Sequence, residues 1–125
     1  MEYSNDFKFD LKVGQVGEKM LADILEGCKV EVKRDKWITK SGNIAIEYEC
    51  RSKPSGIATT QSDWWCLILS GDMEDKMMLL IEISKLKEIC RHYYQKGSIK
   101  NMGDNNLAKA VLIPFSELIK CTNIK

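Results

Sequence analysis

The sequence predicts a single α/β domain over residues 1–125, and three observations carry that expectation. Val13, Val16, Met20 and Ile24 recur at close to helical spacing. Between residues 28 and 82 the pattern changes to short alternating or continuous apolar runs of strand length. A helical stripe then returns at Leu86, Cys90 and Tyr93 before one last strand-like run. At 125 residues the chain can bury one core, and no repeat or linker divides it. The expected architecture is a mixed central β-sheet flanked by helices, in the order α-β-β-β-β-α-β.

The elements follow in turn. "VGQVGEKMLADILEG" reads as the first helix, with Gly27 as its C-terminal stop. "CKVEVKRD" alternates Cys28, Val30 and Val32 against Lys29, Glu31 and Lys33, as a strand does. "KSGN" signals a turn, so Asn43 to Arg51 should return as an antiparallel partner. Ile44 and Ile46 would then face the core. "KPSGIATTQSD" is a loop, in which Thr60 and Asp63 have capping-box spacing and predict a short helical turn. "WWCLILS" and "KMMLLIEI" read as two strands around the turn "GDMED", with Met77 and Met78 in the core and one of Trp64 and Trp65 facing inward. Ser84 is placed to cap the helix "KLKEICRHYYQK". "KGSIKNMGDNN" reads as a polar, mobile connection, and "LAKAVLIPF" as a final strand before a short terminal helix.

Composition excludes several classes. With 44% hydrophobic and 30% charged residues and only 2 prolines, the chain is globular rather than disordered. The start "MEYSNDFKFDLK" has no apolar segment of the secretory kind, and no apolar run reaches membrane-spanning length. The five cysteines, at 28, 50, 66, 90 and 121, lack a C-x-x-C and predict free thiols in a reducing compartment, hence a cytoplasmic protein, and the lack of a spanning run predicts no membrane partner. His92 is the sole histidine, read as a surface or partly packed helix residue, so chemistry built on several histidines is out of reach within one chain. Catalysis, if present, falls to carboxylates.

Strand alternation places Glu47, Glu49 and Arg51 side by side. Across the expected hairpin Asp35 approaches Glu47, and Glu18 of the first helix overlooks the same strand ends. Carboxylates gathered at about 4–6 Å raise one another's pKa unless a cation balances them. Oxygen-only ligands favour Mg²⁺, Mn²⁺ or Ca²⁺ over zinc, and Mg²⁺ is typically held by one or two carboxylates with substrate phosphate completing its shell. The plainer reading, an exposed charged strand face, would be preferred for Glu47 and Glu49 alone.

The order Glu18, Asp35, Glu47-Tyr48-Glu49 on helix, strand and strand resembles the PD-(D/E)XK nuclease superfamily. The resemblance covers roughly residues 13 to 70. The block "GNIAIEYECRSKPSGIATTQSDWW" is similar to one in small phage-type members and is more specific than the acids. It implies a restriction-endonuclease-like core, a DNA partner and, for a phage-encoded chain, the host cytoplasm. It also implies Mg²⁺ or Mn²⁺ on Asp35 and Glu47, with help from the Tyr48 carbonyl and with Glu18 as an outer acid for a second metal or its waters. Two departures stand out. Arg34 precedes Asp35 in place of proline, and Glu49 replaces the lysine of E-x-K. The missing positive charge is then sought at Arg51 or Lys53, of which arginine is a good phosphate clamp and a poor base. Glu49 is left to orient the attacking water or hold a second metal.

Charge agrees with such a partner. Residues 29 to 53 carry seven basic side chains against four acidic ones, a net +3, whereas the whole chain is +1 and the remainder therefore −2. Lys33, Arg34, Lys36 and Lys53, with Ser55, Thr59, Thr60 and Gln61 of the loop, are the expected nucleic-acid contacts. The functional expectation is a metal-dependent DNA endonuclease, structure-specific for junctions, flaps or nicks, or cutting as a homodimer, because so short a chain leaves little surface for reading sequence. Its rivals are a site-specific restriction or homing-type enzyme and a non-catalytic DNA-binding protein that keeps the fold.

Overall fold

Helix α1 (Tyr3–Glu26) stops where the amides of Gly27 and Cys28 both donate to the Asp23 carbonyl, and the chain enters strand β1 (Val30–Asp35). The single-turn helix α2 (Ile38–Ser41) follows, closed by Gly42 in the left-handed conformation at φ 73°. Strand β2 (Asn43–Cys50) turns into the two-residue β3 (Lys53–Pro54), and a 3-10 turn at Gly56–Ala58 precedes β4 (Trp64–Leu69). Then come β5 (Met77–Glu82), α3 (Ile83–Gln95), β6 (Ile99–Met102), β7 (Ala108–Pro114) and α4 (Phe115–Leu118). This computed structural model describes residues 3–120, and side chains from Lys12 onward except that of Met73.

The chain is mixed α/β, but its strands form two sheets rather than one. The first has the order β1-β4-β5, with β1 parallel to β4 and β4 antiparallel to β5. The second has the order β3-β2-β7-β6 and is antiparallel throughout. The expected β1–β2 hairpin is not formed. Residues 36–42 hold α2 rather than a tight turn, so β1 runs beside β4 and β2 beside β7.

Helix α3 packs against strands of both sheets and closes the core between them. Ile44 and Ile46 are 0% exposed, as their alternation requires, and meet Val111 and Ile113 across the β2–β7 pair. Trp65, Leu67 and Leu69 line the first sheet's side, and Leu86, Ile89, Cys90 and Tyr93 the helix's. Trp65 is thus the inward member of the tryptophan pair. His92 is half-buried, edge-on to the Tyr93 ring.

Several expectations are corrected. Met77 and Met78 are exposed, Met78 at 62%, because they stand at the outer start of an edge strand. On α1 only Ile24 is buried among the described side chains, and Val32 of β1 is 54% exposed. No helical turn begins at Thr60: its hydroxyl accepts the Ser62 amide, while Asp63 accepts the Lys29 amide at 3.0 Å. Ser84 lies inside α3 and donates to the Glu82 side chain, with Glu82 at the cap position. The segment read as mobile contains β6, paired to β7 from Ile99 beside Val111 to Met102 beside Ala108.

Cys28, Cys50, Cys66 and Cys90 are free thiols, as expected, and Cys121 lies outside the described residues. Among the described residues no helix is long and apolar enough to cross a membrane.

Candidate functional site

Asp35 closes β1 and is only 8% exposed. One carboxylate oxygen accepts the amides of Trp37 at 2.9 Å and Ile38 at 3.1 Å, which opens α2. The other accepts the Ala45 amide at 3.2 Å. Three backbone donors thus converge on one side chain, which clasps the end of β1 to β2. A carboxylate offers about four lone-pair positions, so one stays open. Asp35 also lines a pocket of about 220 Å³ with Asn43, Ala45, Lys100 and Leu112, on the outer face of the second sheet.

Glu47 follows Ala45 by one strand period, about 6.7 Å along that face. It accepts the Ser55 hydroxyl at 2.9 Å. The loop is pressed against it: Gly56, at φ 53°, lies so close that a Cβ there would sit 2.2 Å from the Glu47 carbonyl oxygen. Only glycine satisfies both the left-handed backbone and that contact.

The next step breaks the alternation. Glu47 pairs with Ala110 and Glu49 with Lys109, so three residues of β2 oppose two of β7 and Tyr48 is the extra residue of a β-bulge. Ala110 and Lys109 point to opposite faces, and the bulge therefore parts Glu47 from Glu49. The Glu49 carboxylate meets the Lys109 ammonium at 3.4 Å. Tyr48 turns inward with it, packs on the core and meets Tyr94 edge-on at 5.4 Å. Burial, then the neighbouring Tyr94, pushes the Tyr48 phenol above its usual range. The Tyr48 carbonyl accepts the Ser55 amide at 3.0 Å.

The other expected residues scatter. Arg51 is exposed in the β2–β3 turn at φ 52°, off the strand face, and Lys53 is exposed on β3 opposite Cys50. Glu18 is exposed on α1. Arg34 pairs with Asp75 at 3.1 Å, toward the β4–β5 turn. Lys36 and Gln61 are exposed, and the Thr59 hydroxyl donates to the Gly56 carbonyl. Thr60 donates to Glu31 at 3.4 Å, so the loop that holds Glu47 through Ser55 also reaches β1.

Glu31 and Lys100 were not singled out by sequence. The signal for Glu31 is strand alternation, which sets it two residues from Lys33 and four from Asp35 on one side of β1. Lys100 lay in the segment read as mobile. Lys33 shares the Asp35 side of β1, its ammonium 5.9 Å from the Trp65 ring centre.

Among the described residues no three histidine, cysteine or carboxylate side chains converge as a metal site. Asp35 and Glu47 accept only from neutral donors, so neither is neutralised by a lysine or arginine among those residues. Two such carboxylates are the donor set that magnesium takes when a substrate phosphate supplies further oxygens. The donor types of Asp35 and Glu47 fit that metal in chemistry, and these two residues would hold it without Glu18 or Glu49.

Comparison of the chain with protein-family models, with curated proteins and with solved structures finds no match.

Proposed function

We propose that this protein is a divalent-metal-dependent nuclease of restriction-endonuclease-like core, hydrolysing DNA phosphodiesters where β1 and β2 part, with structure-specific cutting at flaps, nicks or junctions. The observation that carries the reading is Asp35: a nearly buried, charged clasp opening onto the same outer face as Glu47. Asp35 and Glu47 would hold Mg²⁺ or Mn²⁺. Such an ion, when bound, supplies Lewis acidity toward a phosphate oxygen and lowers the pKa of its water.

The chain's own residues account for the rest. The three amides fix the Asp35 carboxylate in one orientation, and Ser55 does the same for Glu47. Lys33, on the Asp35 side of β1, supplies the cation that the E-x-E sequence lacks. Its ammonium suits a phosphate as a point charge. Lys100, on the wall of the Asp35 pocket, is a second cation for the DNA backbone.

A non-catalytic DNA-binding role has one observation in its favour, the withdrawal of Glu49 onto Lys109. Cleavage of labelled duplex, single-stranded, flap and four-way-junction DNA in Mg²⁺ or Mn²⁺ separates the two. Wild type is expected to cut, Glu47→Ala to lose about a hundredfold or more, and Glu49→Ala to stay within about fivefold, since only a partly exposed ion pair is removed. Absence of cutting on every substrate, with DNA still held in EDTA, would overturn the nuclease and favour the binding protein.

A further inference from the structure

Tyr48, the extra residue of the bulge, lines a groove on the other face of β2 from Glu47. The groove has a volume of about 320 Å³ and runs between α3 and the Gly56–Ala58 turn. Lys87, Cys90, Arg91 and Tyr94 enter it from α3, one stripe at helical spacing. Tyr48 and Ile57 approach from the strand and the turn.

Its charge is unbalanced. Lys19, Arg34, Lys76, Lys85 and Lys109 each pair with a carboxylate. Lys87 and Arg91, one turn apart, have no ion pair among the described residues. Tyr94 is 50% exposed, with its edge or face against the Tyr48 ring at 88°. The Cys90 thiol, raised to about 12 by burial, stays protonated and serves as apolar floor.

We propose that this groove seats one unpaired nucleotide of a DNA strand, its base on the Tyr94 ring and its phosphate on Lys87 and Arg91. Aromatic faces with adjacent cations are what single-stranded nucleic acid requires. The volume lies at the small end of ligand pockets, enough for a nucleotide and too little for a duplex. The seat also bears on substrate class, and there it rests on the nuclease reading above. Glu47 and Tyr48 are consecutive but face opposite ways, and a strand touching both would find Arg51 and Lys53 exposed at the β2–β3 turn between the two faces. A stiff duplex cannot bend from one face to the other, whereas a flap or junction arm can.

The test is fluorescence anisotropy of a labelled five-nucleotide DNA strand in EDTA, with a blunt-ended duplex of about twenty base pairs as competitor at equal nucleotide concentration. Wild type is expected to prefer the single strand. Tyr94→Ala should weaken binding about tenfold, Tyr94→Phe should restore it, and Lys87→Ala with Arg91→Ala should weaken it as well. These side chains are exposed or partly so, and an unchanged Tm shows that the variants fold. Equal binding by wild type and Tyr94→Ala, or no preference for the single strand, would overturn the seat even if Glu47-dependent cutting is found. Tyr94-dependent binding in a protein that cuts nothing would uphold the seat and sink the nuclease.

Discussion

Asp35 and Glu47 differ in what they hold together, although both are carboxylates expected at one site. Asp35 satisfies three backbone amides around α2 and β2, while Glu47 accepts one hydroxyl. Hydrogen bonds to a charged group contribute about 1.5–3 kcal/mol each, and donors left unpaired in the interior cost more than the bond gained. Asp35→Ala should therefore lower stability by about 4–5 kcal/mol and Tm by roughly 15–20 °C, measured by thermal unfolding. Glu47→Ala should leave Tm within about 2 °C. Loss of cleavage in Asp35→Ala is thus ambiguous, and Glu47 is the informative substitution. Equal Tm losses in the two variants would refute the structural role assigned to Asp35.

At the level of elements, the segment from Ser55 to Asp63 ties β1 to β2. It touches Glu47 through Ser55 and Gly56, Glu31 through Thr60, and Lys29 through Asp63. Gly56→Ala is expected to strain the loop twice, by about 1–2 kcal/mol for the left-handed backbone and further by the contact with the Glu47 carbonyl. A lowered Tm together with reduced cutting is the predicted result. A variant as stable and active as wild type would show that the loop need not press on β2. Ser55, Gly56 and Thr60 were legible in the sequence as turn and hydroxyl residues. Their partners were not, because the loop's ends join strands of different sheets.

For the whole molecule, α3 seals the core between the two sheets, and Cys90 is part of that seal. Its thiol pKa rises from 9.0 to about 12 through burial. The unfolded chain then loses this proton first as pH climbs, so the folded state binds more protons above pH 9 and stability must fall. The contribution is fully present below pH 9 and lost by about pH 12, roughly 4 kcal/mol for a shift of this size. Alkaline unfolding of the wild type should be steeper across that window than that of Cys90→Ala, as urea titrations at pH 8, 9.5 and 11 would reveal. Parallel pH profiles would assign the buried proton elsewhere.

The features legible along the chain are local ones. Period-two alternation buried Ile44 and Ile46, helical spacing placed Leu86, Cys90 and Tyr93 on one face, and the tryptophan pair sent one ring inward. These patterns need only a chain's own geometry. Tertiary structure alone decided that β1 lies beside β4, that a bulge parts Glu47 from Glu49, and that Arg51 turns off the strand face. The physical reason is common to all three. Strand partners and bulges are settled by which backbone amides and carbonyls find each other across distant segments. A carboxylate such as Asp35 can redirect that choice by accepting three amides at once, and no periodicity along the chain records it.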